Sequence, residues 1–194
     1  MIRVLIIDDH SAMRTGLEVA LKRSPDVVPV GAGSDELELW PLLKRTAPDV
    51  VLLDYHLPGQ DGLILCHRLK STTLPPGVII YSGYADASLA VVATIAGADG
   101  VVNKNAPARE LIEAIRCVAA GEPVLAPLPA DAIAVAAAKL EVTDQPLFGM
   151  LLDHCTMGDV ADAMHVPLDE AAMRVRRIIG RLRIQVPTSV GARA

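Results

Sequence analysis

Five side chains carry most of the chemistry this sequence offers: Asp8, Asp9, Asp54, Ser82 and Lys104. Each follows or closes a short apolar run. Three carboxylates held close together repel one another, and ionising all of them requires a compensating charge. A hard divalent cation supplies it, and Mg2+ suits one or two carboxylates together with waters and phosphate oxygens. Lys104 adds a compact positive charge able to pair with a carboxylate or a phosphoryl oxygen, and the Ser82 hydroxyl is able to donate to the same oxygen. An Asp carboxylate in such a setting can act as a nucleophile and form an acyl phosphate, with the cation and the lysine stabilising charge on the transferring group. One Asp at a strand end merely begins a turn or caps a helix. The five together point to phosphoryl chemistry.

What brings them together is the pattern of the first 120 residues. Short apolar runs (4–7, 27–30, 50–53, 78–81 and 101–102) alternate with amphipathic stretches (12–23, 36–45, 62–70, 88–96 and 108–120). Strand alternating with helix predicts βαβ units and a five-stranded parallel sheet, doubly wound, with both faces covered. In such a sheet ligands bind outside the carboxyl ends of the strands, where the strand order reverses, and the five residues stand at those ends.

From Gly121 the texture changes. Pro123, Pro127 and Pro129 predict an extended, stiff connector, followed by an Ala-rich helix over 130–140. Short helices are expected over 146–154, 157–164 and 169–182, with Thr156 and Asp159 at capping-box spacing. The predicted organisation is an α/β domain at 1–120, a Pro/Ala-rich linker with a helix at 121–139, a small all-α domain at 140–186 and a tail at 187–194.

Composition excludes several classes. The net charge of -5 gives no global attraction to nucleic acid or anionic membranes, and 3% aromatic content leaves little to stack on single-stranded bases. The apolar stretches are too short to span a bilayer, and MIRVLIIDDH does not read as a signal peptide. Cys66, Cys117 and Cys155 form no CxxC pair. Unpaired thiols and a cytoplasmic address without membrane association are therefore expected.

The motifs IIDDH, DYHLPGQDG, YSG and NKNAP occur in the order and spacing of the receiver domain of bacterial response regulators, which residues 1–120 resemble. That fold is flavodoxin-like. The resemblance implies that Asp54 accepts phosphate from a histidine kinase. It also implies that Mg2+ is held by Asp9, Asp54 and the backbone carbonyl of His56, with Asp8 acting through water. Ser82 and Lys104 would contact the phosphoryl group. The family usually carries Tyr or Phe at the switch position three residues before the lysine, where this chain has Val101. His10 and His56 flank the site outside any metal motif and are read as edge residues whose side chains ligate nothing.

In the carboxyl-terminal part, two helices joined by His165-Val166-Pro167 form a helix-turn-helix pattern. Val175, Ile178, Ile179 and Leu182 make a core stripe, flanked by Arg174, Arg177 and Arg181 on one side and Arg176 and Arg183 on the other. Arginines so placed reach phosphates and base edges if the helix enters a major groove. From Leu140 onward, however, six Arg face seven acids, whereas DNA-binding domains are usually basic. The segment 143–184 resembles the helix-turn-helix output domain of the NarL/FixJ and LuxR group. On that resemblance the DNA-facing positions are Glu170, Ala172, Met173, Arg174, Arg176, Arg177 and Arg181. It departs from the group at Pro167 in place of a Ser cap, at Glu170 in place of Thr, and at Ala172 and Met173.

The expected function is a phosphorylation-switched, DNA-binding transcription regulator that dimerises, since paired half-sites match a two-fold protein. Three alternatives stand beside it. One is a receiver whose degenerate output domain binds protein, and another is a regulator that works without phosphorylation. The third, an aspartyl-phosphate hydrolase, usually needs a carboxylate where His56 stands, so no enzyme is expected beyond self-phosphorylation and dephosphorylation at Asp54.

Overall fold

The apolar runs are strands because β-branched and aliphatic residues fill both faces of a sheet buried on both sides. In the computed structural model, which describes residues 1–183, Val4, Leu5, Ile6 and Ile7 are fully buried. Successive side chains of a strand point to opposite faces. Val4 and Ile6 accordingly join one apolar layer, and Leu5 and Ile7 the other.

The strands are β1 (Ile2–Ile7), β2 (Val27–Gly33), β3 (Val50–Asp54), β6 (Gly77–Ser82) and β7 (Gly100–Asn103). They form one parallel sheet in the order β2-β1-β3-β6-β7. A short antiparallel pair, β4 (His56–Leu57) and β5 (Gln60–Asp61), follows β3. Pro58 and Gly59 make its turn, and Gly59 takes φ 71°, the sign such a turn requires. This pair was not anticipated, because two-residue strands are too short to leave a periodic pattern.

Helices α1 (Ser11–Leu21) and α5 (Ala108–Ala119) cover one face, with Leu17, Leu21, Leu111 and Ile115 against the sheet. Helices α2 (Glu36–Thr46), α3 (Gly62–Lys70) and α4 (Ala87–Ile95) cover the other. The connector after α5 runs beside β7. Val101 N donates to Val124 O at 3.1 Å and Val124 N to Asp99 O at 2.7 Å, so the edge strand is partly capped.

The remaining helices are α6 (Ala130–Ala138), α7 (Gln145–Leu152), α8 (Met157–Met164) and α9 (Leu168–Leu182), with a 3-10 turn at Val142–Asp144 before α7. Thr156 and Asp159 form the reciprocal capping box. The link between α8 and α9 turns at His165, in the left-handed region at φ 55°. The tail at 187–194, and the last residues of the span ending at 186, lie outside the described residues.

Helix α4 ties the two parts together. Every residue from Leu89 to Ile95 is buried, and a helix that is apolar all round needs cover on all sides. Strand β7 of the sheet lies on one side, while α6, α7 and α9 pack on the rest. Phe148, Val175 and Ile178 therefore belong to the same apolar cluster as Leu53, Ile80 and Val91.

Candidate phosphoacceptor site

Strand order places the site. Between β1 and β3 the winding reverses, which opens a crevice at the carboxyl ends of the strands. Asp8 and Asp9 follow β1, Asp54 ends β3, Ser82 ends β6 and Lys104 follows β7. The structure brings all five to this edge.

Lys104 Nζ lies 2.7 Å from Asp8 Oδ2 and 2.8 Å from Asp54 Oδ2. Both carboxylates are almost wholly buried, at 1% and 4% exposure. Burial pushes the Asp54 carboxyl above the usual carboxylate range; Lys104 pulls it back and Asp8 pushes it further up. Lys104 is held above its ordinary value. Burial acts against this, but its hydrogen bonds to Asp54 and Asp8 outweigh it. The backbone N–H of His56 donates to Asp54 Oδ1 at 3.2 Å, and that of His10 to Asp8 Oδ1 at 2.8 Å. Ser82 is buried and its Oγ accepts from Tyr84 N at 3.1 Å. A nucleophilic carboxylate, a cation in contact with it and a hydroxyl on the neighbouring strand thus share one crevice, the set a phosphoryl acceptor needs.

The donor set fits a divalent cation. Ligand atoms of Asp8, Asp9, His10 and Asp54 lie within 4.8 Å of one another. Asp9 Oδ1 is buried without a well-oriented hydrogen-bond donor among the described residues, although His10 Nδ1 stands 2.6 Å away. His10 is thus closer to the carboxylates than its reading as an edge residue implied. Its place immediately after the paired acids was the only signal for this. His56 is exposed on β4, and its backbone borders the site.

Val101, at the switch position, is partly buried on β7 and packs against the cluster that contains α4. Tyr81 stands beside the lysine, its ring centre 5.9 Å from Lys104 Nζ, and its hydroxyl donates to Lys104 O at 3.3 Å.

The helix-turn-helix candidates all lie on α9, but most of their charges are already engaged. Arg174 pairs with Glu170 at 2.5 Å, Arg177 with the fully buried Asp144 at 2.6 Å, and Arg181 with Glu141. Arg183 reaches Asp61, the N-cap of α3. Ala172 and the charge of Arg176 lie against His67 of α3, while Met173 is exposed. The expected free basic face is instead a set of ion pairs, because acids from Glu141, Asp144 and Asp61 fold back onto the helix.

His67 was missed in the sequence because nothing local marks it. It is 5% exposed, and burial, with the Arg176 charge second, pushes its pKa down to about 4. An ordinary histidine titrates at roughly 6.5. The unfolded chain therefore binds this proton first, so the stabilisation is complete above about pH 6.5 and is lost as pH falls toward 4. By pH 5 the loss amounts to about 2 kcal/mol. Urea unfolding of the wild type and His67→Leu at pH 7 and pH 5 should show the wild type losing about that much more.

A doubly wound sheet of this order, with an acid cluster and a lysine at its switch point, defines a receiver. The model of the response regulator receiver domain matches residues 4–116, and the chain belongs to that family. Receiver domains of this family are phosphoacceptors and bind Mg2+ at an acidic pocket. Among its relatives, the transcriptional regulatory protein LiaR of Bacillus subtilis is 35% identical over 125 residues, covering 64% of this chain and 59% of LiaR. The nitrate/nitrite response regulator protein NarL of Escherichia coli is 34% identical over 122 residues, 63% of this chain and 56% of NarL. The chain thus spans less than two thirds of either relative. The DNA-binding transcriptional activator DevR/DosR of Mycobacterium tuberculosis is 30% identical over 195 residues, 95% of this chain and 90% of that protein. Among solved structures, the receiver of the response regulator NarL from Mycobacterium tuberculosis superposes with a TM-score of 0.59 at 34% identity, covering 62% of this chain and 98% of that one. The response regulator ChrA of a heme-sensing two-component system superposes over 93% of this chain and 89% of its own, with a TM-score of 0.54 at 26% identity. No helix among the described residues is long and apolar enough to cross a membrane.

Proposed function

We propose that this chain is a cytoplasmic, phosphorylation-switched transcription regulator. Residues 1–120 form the receiver, 121–139 the connector and 140–186 a DNA-binding output domain. The observation that carries the reading is the contact of Lys104 Nζ with both Asp8 and Asp54 at the switch point of the sheet. Asp54 attacks the phosphorus of a kinase phosphohistidine; the new O–P bond forms as the P–N bond breaks, and the imidazole leaves with a proton. Lys104 neutralises charge on the phosphoryl oxygens and Ser82 donates its hydroxyl to one of them. Asp9, Asp54 and the His56 carbonyl would hold Mg2+, with Asp8 reaching it through water. When bound, the ion neutralises the carboxylates and the incoming phosphoryl group.

The output helix is coupled to this event by packing. Helix α9 rests on α3 and α4, and α3 and α4 begin just after the segments that carry Asp54 and Ser82. The ion pairs of α9 and its contact with α3 support a closed state that phosphorylation opens, freeing a homodimer to bind DNA. The same ion pairs favour a second reading, an output domain that binds protein.

DNA binding separates the two. The phosphorylated chain should bind duplexes selected from a random-sequence library, and the unphosphorylated chain should not. Affinity should fall with salt at a log–log slope of about -0.9 per phosphate contact. Weak binding with little salt dependence would reject DNA as the target.

A further inference from the structure

The imidazole of His10 takes no part in the phosphoryl chemistry described above. His10 is the N-cap of α1, yet its side chain makes no capping hydrogen bond. Its backbone N–H is tied to Asp8 Oδ1 at 2.8 Å, which holds the residue against the acids. Nδ1 then stands 2.6 Å from Asp9 Oδ1 and 3.4 Å from Asp8 Oδ1. The shorter contact lacks the alignment of a hydrogen bond, and Asp9 Oδ1 is a buried atom with no such partner among the described residues. A ring nitrogen that faces a carboxylate oxygen in this way sets one acceptor against another, and a cation held by both removes the repulsion. One ligand atom from each of Asp8, Asp9, His10 and Asp54 lies within 4.8 Å of the others. Donors bound at about 2.1 Å to one octahedral ion stand roughly 3–4 Å apart, so the set closes on an ion with small adjustments. The His10 side chain is 71% exposed, and an ion reaches its nitrogen without the chain opening.

Oxygen-only donor sets suit Mg2+, whereas an imidazole nitrogen suits first-row transition ions, whose affinity rises from Mn2+ through Co2+ to Ni2+ and Cu2+. We propose that His10 Nδ1 is a further protein ligand at this site, and that it makes the crevice a binder of first-row transition ions and not of Mg2+ alone. Asp9 and Asp54 hold either class of ion, and His10 strengthens the transition ions selectively. The inference rests on the cation site proposed above, and its test reads that site separately.

The test is isothermal titration calorimetry of the full, tag-free chain with Ni2+ and with Mg2+, beside pulsed electron paramagnetic resonance of the Mn2+-loaded chain. His10→Ala should lower Ni2+ affinity at least about tenfold and leave Mg2+ affinity within about twofold. Bound Mn2+ should show modulation from a directly ligated ring nitrogen in the wild type, and none in His10→Ala. His10→Asn, whose amide can still hydrogen-bond to Asp9, should behave like His10→Ala, which a merely hydrogen-bonding role for the ring does not predict. Asp54→Asn should weaken both ions, which places them at one site. The urea midpoint establishes that each variant is folded; should His10→Ala not fold, His10→Asn and the wild-type resonance decide. Unchanged Ni2+ affinity, an equal loss of Ni2+ and Mg2+ affinity, recovery in His10→Asn, or Mn2+ bound without nitrogen modulation would each overturn the proposal. Mg2+ binding that Asp54→Asn weakens upholds the cation site whatever His10 does, so failure of the ligand and failure of the site are distinguishable.

Discussion

Asp54→Asn is expected to abolish phosphoryl uptake from acetyl phosphate in Mg2+, with the adduct visible by intact mass in the wild type alone. The amide keeps the shape of the side chain but has no carboxylate oxygen to attack phosphorus. The expected effect is complete loss. Stability should move the other way. Burial, resisted by Lys104 and reinforced by Asp8, raises the Asp54 pKa in the folded state. A raised carboxyl contributes stability at low pH that is lost as pH rises through its folded value. Ionisation of Asp54 is therefore a cost to the folded state, and the neutral amide should unfold at an equal or higher urea concentration. A variant that loses both the adduct and its stability would indicate that Asp54 is needed for folding. Undiminished uptake by Asp54→Asn would place the acceptor elsewhere. Size-exclusion chromatography of the same samples should show the phosphorylated wild type shifting toward a dimer.

Gly62→Ala should be the most damaging small substitution near the site. A Cβ on Gly62 would stand 2.2 Å from Asp54 O and 2.8 Å from Tyr55 O. Both are backbone atoms, and Gly62 N also donates to Tyr55 O at 3.1 Å, so the segment that carries Asp54 has to move. Overpacking of this kind costs about 1–3 kcal/mol and sometimes more. The displacement also acts on chemistry, since misplacing a reacting group by about 1 Å can cost roughly 100-fold in rate. Gly62→Ala is thus expected to lower both the urea midpoint and the initial rate of phosphoryl uptake. Gly16→Ala is the matched control. Its added Cβ meets nothing within 4 Å on α1, so the ordinary helix preference should stabilise it by about 0.5–1 kcal/mol with no change in rate. Equal behaviour of the two variants would mean that the approach of Gly62 to the Asp54 carbonyl is not a constraint.

The sequence alone determined the sheet and the grouping of residues at its edge. A strand buried on both faces is written locally as an apolar run, and Val4–Ile7, Val50–Leu53 and Val78–Tyr81 each carry that record. The polar residue that ends such a run stands at the carboxyl edge whatever the helices do, so Asp8, Asp54, Ser82 and Lys104 were legible together. The apolar character of α4 was also written, since its buried stretch Leu89–Ile95 offers only Thr94 as a polar side chain. What covers it was not, because one apolar face accepts another without specifying which. Only the tertiary structure placed α6, α7 and α9 there. It likewise decided the fate of Arg177, Arg181 and Arg183, whose partners lie 33 residues away at Asp144, 40 at Glu141 and 122 at Asp61. Helical periodicity shows which face an arginine occupies. Whether that face meets water, DNA or a distant carboxylate depends on chain closure, which no local pattern records.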